Sequence, residues 1–201
     1  MFIRKFVLII LFSIFFIFNN NFINKSLATN DPGVFIMDMT QGAIQNLTSS
    51  SANMDEKEKK FGELFDKNFD LPSISRFVLG KYWKNASIEQ KKKFIKTFRN
   101  YVVKTYSSRF SEYSGENLKL VKFENESNPK IFLVYTVLER QDAPLIKINW
   151  RVGKKKDKFV ILDIVIEGIS LAVTQRSEFV SVIEQNNGEI DSLISLLEEK
   201  L

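Results

Sequence analysis

Two hydrophobic rhythms divide this chain. From Pro32 onward apolar residues recur at every third and fourth position, the spacing of one face of a helix. Met37, Thr40, Ile44 and Leu47 predict a first helix over Pro32 to Leu47. After a polar, Ser-rich loop over Thr48 to Asn53, Phe61, Leu64, Phe65 and Phe69 mark a second helix from about Asp55 to Asn68. Pro72 is tolerated in a first helical turn and disfavours helix at Leu71, so a short new helix follows. It carries Ile74, Phe77 and Val78 on one face and has Gly80 near its end. Ser87 and Gln90 form a capping box that opens the longest helix, about Ile88 to Ser111. Its stripe is Phe94, Ile95, Phe98, Tyr101, Val102, Thr105 and Tyr106.

After Gly115 the period shortens to two. Leu118 to Glu124, Ile131 to Glu139, Leu145 to Val152 and Phe159 to Glu167 are β-branched and aromatic runs with short polar separators, which predict an antiparallel meander. In the third run Ile146, Ile148, Trp150 and Val152 alternate with Lys147, Asn149 and Arg151, so one face is buried and the other wet. Two helices close the chain, Arg176 to Gln185 and Glu189 to Lys200, around an Asn187-Gly188 turn. The expected fold is α+β: a twisted antiparallel four-stranded sheet with helices packed on one face. There is no internal repeat.

The residues before Pro32 follow another logic. Arg4 and Lys5 precede an apolar run from Phe6 to Phe18, broken only by Ser13. Small residues then stand at Ser26 and Ala28, the positions a signal peptidase reads. The run is shorter than the ~20 residues that span a hydrocarbon core, which favours a cleavable leader over residues 1–28 and a single mature domain over 29–201. The long polar stretch Asn19 to Lys25 leaves an uncleaved anchor as the alternative.

Charge and composition narrow the function. The formal charge is +5, but the leader holds three bases and no acid, leaving 26 basic against 24 acidic side chains. That balance offers no footprint for nucleic acid. There is no cysteine and no histidine. An exported chain without cysteine has no disulfide framework, so burial must hold the fold. Without histidine there is no Ser-His-Asp triad and no usual zinc site. Carboxylate chemistry stays open, yet the composition favours a binding protein over an enzyme, with no cofactor and no metal.

Several local features have a functional and an ordinary reading. Asp163 and Glu167 lie four apart on a strand and share a face, as an acid/base pair would. Ordinarily such carboxylates form a salt bridge or hold backbone, here with Arg151 or Arg176 as candidate partners. Lys154-Lys155-Lys156-Asp157-Lys158 could steer the protein to an anionic surface, but is ordinarily a solvated turn. Tyr82 and Trp83 suit a pocket rim or a half-buried anchor equally. Gly168 is where a backbone bend would follow the fourth strand.

The segment Phe69-Asp70-Leu71-Pro72-Ser73-Ile74, continued by Arg76-Phe77-Val78-Leu79-Gly80-Lys81-Tyr82-Trp83, resembles a family pattern of an aspartate, hydrophobic residues and then LG-x-Y-W. The likeness continues through Ser87, Gln90, Phe94, Phe98 and Tyr106. It returns at Asp163-Ile164-Val165-Ile166-Glu167-Gly168-Ile169-Ser170-Leu171, then Arg176 and Phe179. On these residues the chain resembles the MlaC-like, toluene-tolerance family of periplasmic phospholipid-binding proteins. Phe159 and Leu162 depart from it, since members often carry Trp and Tyr there.

The resemblance implies helices and a strongly twisted sheet enclosing an apolar cavity, with a phospholipid's acyl chains inside and its headgroup at the mouth. It implies a monomeric periplasmic shuttle, serving outer-membrane lipid asymmetry between an outer-membrane lipoprotein complex and an inner-membrane ABC transporter complex. The helix stripe Phe94, Phe98, Tyr101, Val102 and Tyr106, facing Ile146, Ile148, Trp150, Ile164 and Ile166, would supply the wall. Phe77, Val78, Tyr82 and Ile169 complete the candidate lipid-binding set. From the residues alone each of these more readily fills a solid core, which would leave an adaptor without a pocket; only the resemblance turns the set towards a cavity. A small enzyme on a similar fold, working through Asp163 and Glu167, is the other alternative. The leader is directly testable: exported protein should begin near Thr29 by N-terminal sequencing and intact mass, whereas a full-length membrane-bound product contradicts cleavage.

Overall fold

The computed structural model describes residues 31–47, 53–108, 115–141 and 143–201. The leader over 1–28, all but Asn53 of the Ser-rich loop, and the expected extension of the long helix to Ser111 lie outside those residues. Among the described residues the chain forms α1 (Pro32–Leu47), α2 (Met54–Asn68), α3 (Leu71–Leu79), α4 (Tyr82–Asn85) and α5 (Ile88–Ser107). There follow β1 (Asn117–Asn125), β2 (Ile131–Arg140), β3 (Ala143–Lys155), β4 (Lys158–Ile166) and β5 (Ile169–Ser170). Two helices, α6 (Leu171–Gln185) and α7 (Ile190–Glu198), end it. No described helix is long and apolar enough to cross a membrane.

The strands form one antiparallel sheet in sequence order, β1 to β5. It has five strands where the sequence predicts four, because the chain turns back at Glu167 and Gly168, both at positive φ, and pairs Ile169 with Ile166. Ser170 then caps α6 through Val173 N, so that helix begins five residues before the expected Arg176. The short helix α4 is likewise additional. The capping box at Ser87 and Gln90 is present, with both hydrogen bonds at 3.0 Å.

Three solid clusters hold the molecule. Phe94, Phe98 and Phe179 interlock edge-on and stacked at 5.5 to 5.9 Å between α5, α6 and α7. Ile36 on α1 packs with Val134, Val152 and Ile161 on the sheet. Phe61 and Phe65 on α2 join Ala43, Leu47 and Val103. The α1–β1 approach is close: a Cβ at Gly33 would lie 2.8 Å from a Leu120 methyl, so a larger residue there would push that side chain aside.

Asp70 joins helices to sheet. Its amide donates to the Ile161 carbonyl at 3.0 Å, and its Oδ1 accepts the Ser73 amide at the start of α3. Oδ2 receives no aligned hydrogen bond; its partner is the Lys155 ammonium, 2.5 Å away as an ion pair. Lys155 stays exposed beside the turn, as expected of the lysine run, while its ammonium reaches this buried carboxylate. Burial pushes the Asp70 carboxyl up, but the Lys155 ammonium and the Ser73 amide outweigh it, so the group titrates below its ordinary value. A lowered folded value means that this stabilisation is complete above the unfolded value, about 3.9, and disappears as pH falls through the folded one. Asp70→Asn should therefore cost about 1–2 kcal/mol near neutral pH. In urea titrations the gap between variant and wild type should close only below roughly pH 4.

Candidate functional site

The inner face of the sheet is not fully covered. Between it and α1, α2, α3, α5 and α6 lies a cleft of about 640 Å³, open to solvent. Its size falls within the roughly 300–1,000 Å³ of small-molecule sites. The alternation of β3 puts Ile146, Ile148 and Trp150 on its wall, and their cross-strand partners Leu138, Ile164 and Ile166 extend it. A bulge at Leu162 lets Ile161 and Ile164, three residues apart, share that face. On α5 the wall is Phe98, Val102 and Tyr106, one line at four-residue spacing. Val78 and Ile74 come from α3, four apart in the same way.

The wall is hydrocarbon because its polar atoms are occupied. The Trp150 indole N–H donates to Thr136 Oγ1 at 3.1 Å, and that hydroxyl donates to the Ile148 carbonyl. The Thr40 hydroxyl donates to the Ile36 carbonyl at 2.8 Å, within its own helix. Polar side chains gather where the cleft meets solvent: Arg140 is exposed, Glu116 and Gln175 half-buried. Ile166 and Tyr106, 37% and 38% exposed, mark the same end. Buried Phe61, Phe65 and Trp150 mark the other.

Nine of the sequence-predicted residues meet at this wall: Val78, Phe98, Val102, Tyr106, Ile146, Ile148, Trp150, Ile164 and Ile166. Five do not. Phe94 is wholly buried against Phe179 in the helical core, and Tyr101 packs on that same core beneath the Lys200 ammonium. The long helix faces two neighbours, so its broad stripe divides between core and cleft. Tyr82 packs against the core beside the Gly188 turn. Phe77 lies on the far side of α3, with the Arg176 guanidinium 5.1 Å over its ring. Ile169 stands on the short edge strand, 63% exposed.

Sequence reasoning missed the contributions of α1 and α2. Met39, Ala43 and Ile44 line the cleft, as do Phe61, Leu64, Phe65 and Phe69. Their helical stripes were legible, but nothing in periodicity tells a stripe facing a void from one facing a core. The same holds for Leu118 and Leu138.

Asp163 and Glu167 are not poised as an acid/base pair. Asp163 Oδ1 accepts the Ile164 and Ala172 amides at 2.8 and 3.0 Å, and Oδ2 accepts the Ser170 hydroxyl. Glu167 accepts the Lys147 amide. Both hold backbone, which is the ordinary reading. Arg151 pairs instead with Glu126 at 2.7 Å, and Arg176 lies over Phe77. Among the described residues no cluster of carboxylates could hold a metal ion.

A family model described as MlaC protein matches residues 36–199. The intermembrane phospholipid transport system binding protein MlaC of Haemophilus influenzae is 29% identical over 126 residues, which cover 61% of this chain and 58% of that protein. The match thus spans less than two thirds of the relative's length. Among solved structures, the phospholipid-binding protein of Ralstonia solanacearum, determined in complex with a phospholipid, superposes with a TM-score of 0.73. It is 18% identical, and the match covers 85% of this chain and 96% of that one. At that identity the likeness is one of fold.

Wall and core should respond differently to truncation. Phe94→Ala removes a ring from a solid cluster and should cost about 3–5 kcal/mol. Ile148→Ala, whose side chain already borders open space, should cost less than roughly 2 kcal/mol. Denaturant unfolding of the lipid-free protein measures both.

Proposed function

Because this chain belongs to the MlaC family, we propose that it is a phospholipid carrier that works by binding and release, without a chemical step. The cleft carries the reading: it is apolar, about 640 Å³, and open to solvent. A phospholipid's acyl chains enter it, and the headgroup stays at the mouth near Arg140. The remaining parts of the proposal follow the family resemblance. The protein is exported, loses its leader after Ala28, and acts in the periplasm as a monomer. It takes lipid from one of two membrane systems and delivers it to the other, an outer-membrane lipoprotein complex and an inner-membrane ABC transporter complex.

The energetics support such a role. Each methylene moved from water into the cleft gains about 0.8 kcal/mol, so ten buried methylenes supply about 8 kcal/mol, equivalent to micromolar affinity. No wall donor need be desolvated unpaired, since Trp150 and Thr40 already have acceptors.

Native mass spectrometry of the purified protein should show a co-purifying phospholipid. A charge within the wall should remove it. Ile166 is too near solvent for a decisive test, because a carboxylate there keeps much of its hydration. Ile164 is half-buried and one step deeper on the same strand face. Ile164→Glu should fold, since water in the open cleft can solvate the charge, and should carry no lipid. A folded variant that retains a full complement of lipid overturns the assignment of the cleft.

A further inference from the structure

On the sheet the cleft gives way at its inner end to fully buried residues. Along β3, Ile146, Ile148 and Trp150 line it, but the next inward residue, Val152, is fully buried and does not. Along β4, Ile166, Ile164, Asp163 and the bulged Leu162 line it, and Ile161 beyond them is fully buried. Along β2, Leu138 lines it and Val134 is buried. Val134, Trp150 and Ile164 are direct cross-strand partners, so they form one rung. Below it Val152 and Ile161 pair in a solid cluster with Ile36. From Ile146 at the open end to Trp150 is four residues, about 13 Å at 3.3 Å per residue.

Trp150 is the largest side chain on that rung, and its ring is not free to swing. Its N–H donates to Thr136 Oγ1, and Thr136 is itself buried. That hydroxyl has a single proton, which goes to the Ile148 carbonyl, so the lone pair it turns toward the indole is fixed by the neighbouring strand. Releasing the ring would leave a donor unpaired among hydrocarbon side chains.

We propose that Trp150 is the floor of the cleft and sets the length of acyl chain it accepts, with Thr136 as the positioning residue that holds the floor in place. This rests on the carrier reading and adds to it a residue that determines specificity. Replacing the indole by a smaller side chain deepens the cleft only by the indole's own volume, because the rung below is solid. A chain two carbons longer then lodges where it was excluded. At about 0.8 kcal/mol per methylene, its occupancy relative to the shorter chain rises about fourteen-fold.

Delipidated protein, incubated with vesicles holding a graded series of saturated phosphatidylglycerols, is re-isolated and its lipid identified by mass spectrometry. Wild type should show a sharp upper limit in chain length, and Trp150→Leu should move that limit up by about fourteen-fold in the relative uptake of the next longer chain. Thr136→Val keeps the shape but removes the acceptor, and should blur the limit; Thr136→Ser should restore it. If Trp150→Leu does not fold, Trp150→Phe and the two Thr136 variants carry the same test. Wild-type loading with an unchanged length distribution in the folded variants overturns the floor. Wild type that takes up no lipid overturns the carrier reading, and the floor with it.

Discussion

A cleft of about 640 Å³ with walls of hydrocarbon is the constraint on which the rest of the structure depends. Cavity penalties in protein cores run at about 24 cal/mol per Å³. Applied to a sealed, dry void of 640 Å³, that rate gives a cost on the order of 15 kcal/mol. A domain of this size has about 5–15 kcal/mol of stability in total. The cleft can therefore exist only because it is wet or filled. Its opening at Tyr106, Ile166 and Arg140 is a requirement of stability before it is a route for a ligand.

Walls that bear no load from each other must be held from behind. The three solid clusters do this at different sides of the void. Phe94, Phe98 and Phe179 fix α5 against α6, so Phe98 can border open space on one side while its other side is stacked. Ile36 anchors α1 to the sheet below the floor, and Gly33 brings the two within contact. Asp70 ties the α2–α3 joint to β4 through a backbone hydrogen bond and to β3 through Lys155. These attachments are made behind the wall, whereas the side chains that line the void, aliphatic and aromatic, border open space on one side. Removing a wall residue therefore loses less than removing a strut.

How much of this was written in the sequence depends on what each signal measures. Periodicity reports which face of an element avoids water. It therefore located α1 to the residue, the capping box at Ser87, four strands and the phase that puts Ile164 and Ile166 together with Trp150. It cannot say whether the avoided water is replaced by protein or by space. Phe94 and Phe98 belong to one stripe, yet Phe94 is core alone while Phe98 also borders the void, because α5 faces both the helical core and the cleft. The contribution of α1 and α2 was lost for the same reason. The fifth strand escaped because two residues carry no period, and the bulge at Leu162 because it breaks one. Asp163 was legible as a ligand of backbone, but its partners, Ala172 and Ser170, come from the turn into a helix whose start the sequence did not mark.

The distribution of polarity along the cleft also constrains how such a carrier would exchange its cargo. Binding that comes from methylenes rather than from individual polar contacts grows with each carbon inserted and has no single bond whose rupture triggers release. Expelling ten methylenes into water costs about 8 kcal/mol, a factor of nearly a million in equilibrium. Spontaneous release into an aqueous compartment is accordingly disfavoured, which is what keeps a water-insoluble cargo from being lost in transit. The cost falls away only if each methylene passes from one apolar surface to another. The receiving surface must then meet the open end of the cleft, where Ile166 and Tyr106 are already half exposed and Arg140 reaches solvent. The closed end cannot serve, because the Val152–Ile161 rung behind Trp150 is solid. On the proposed carrier reading, a receiving membrane or partner would therefore meet the cleft on the side of Tyr106 and Ile166.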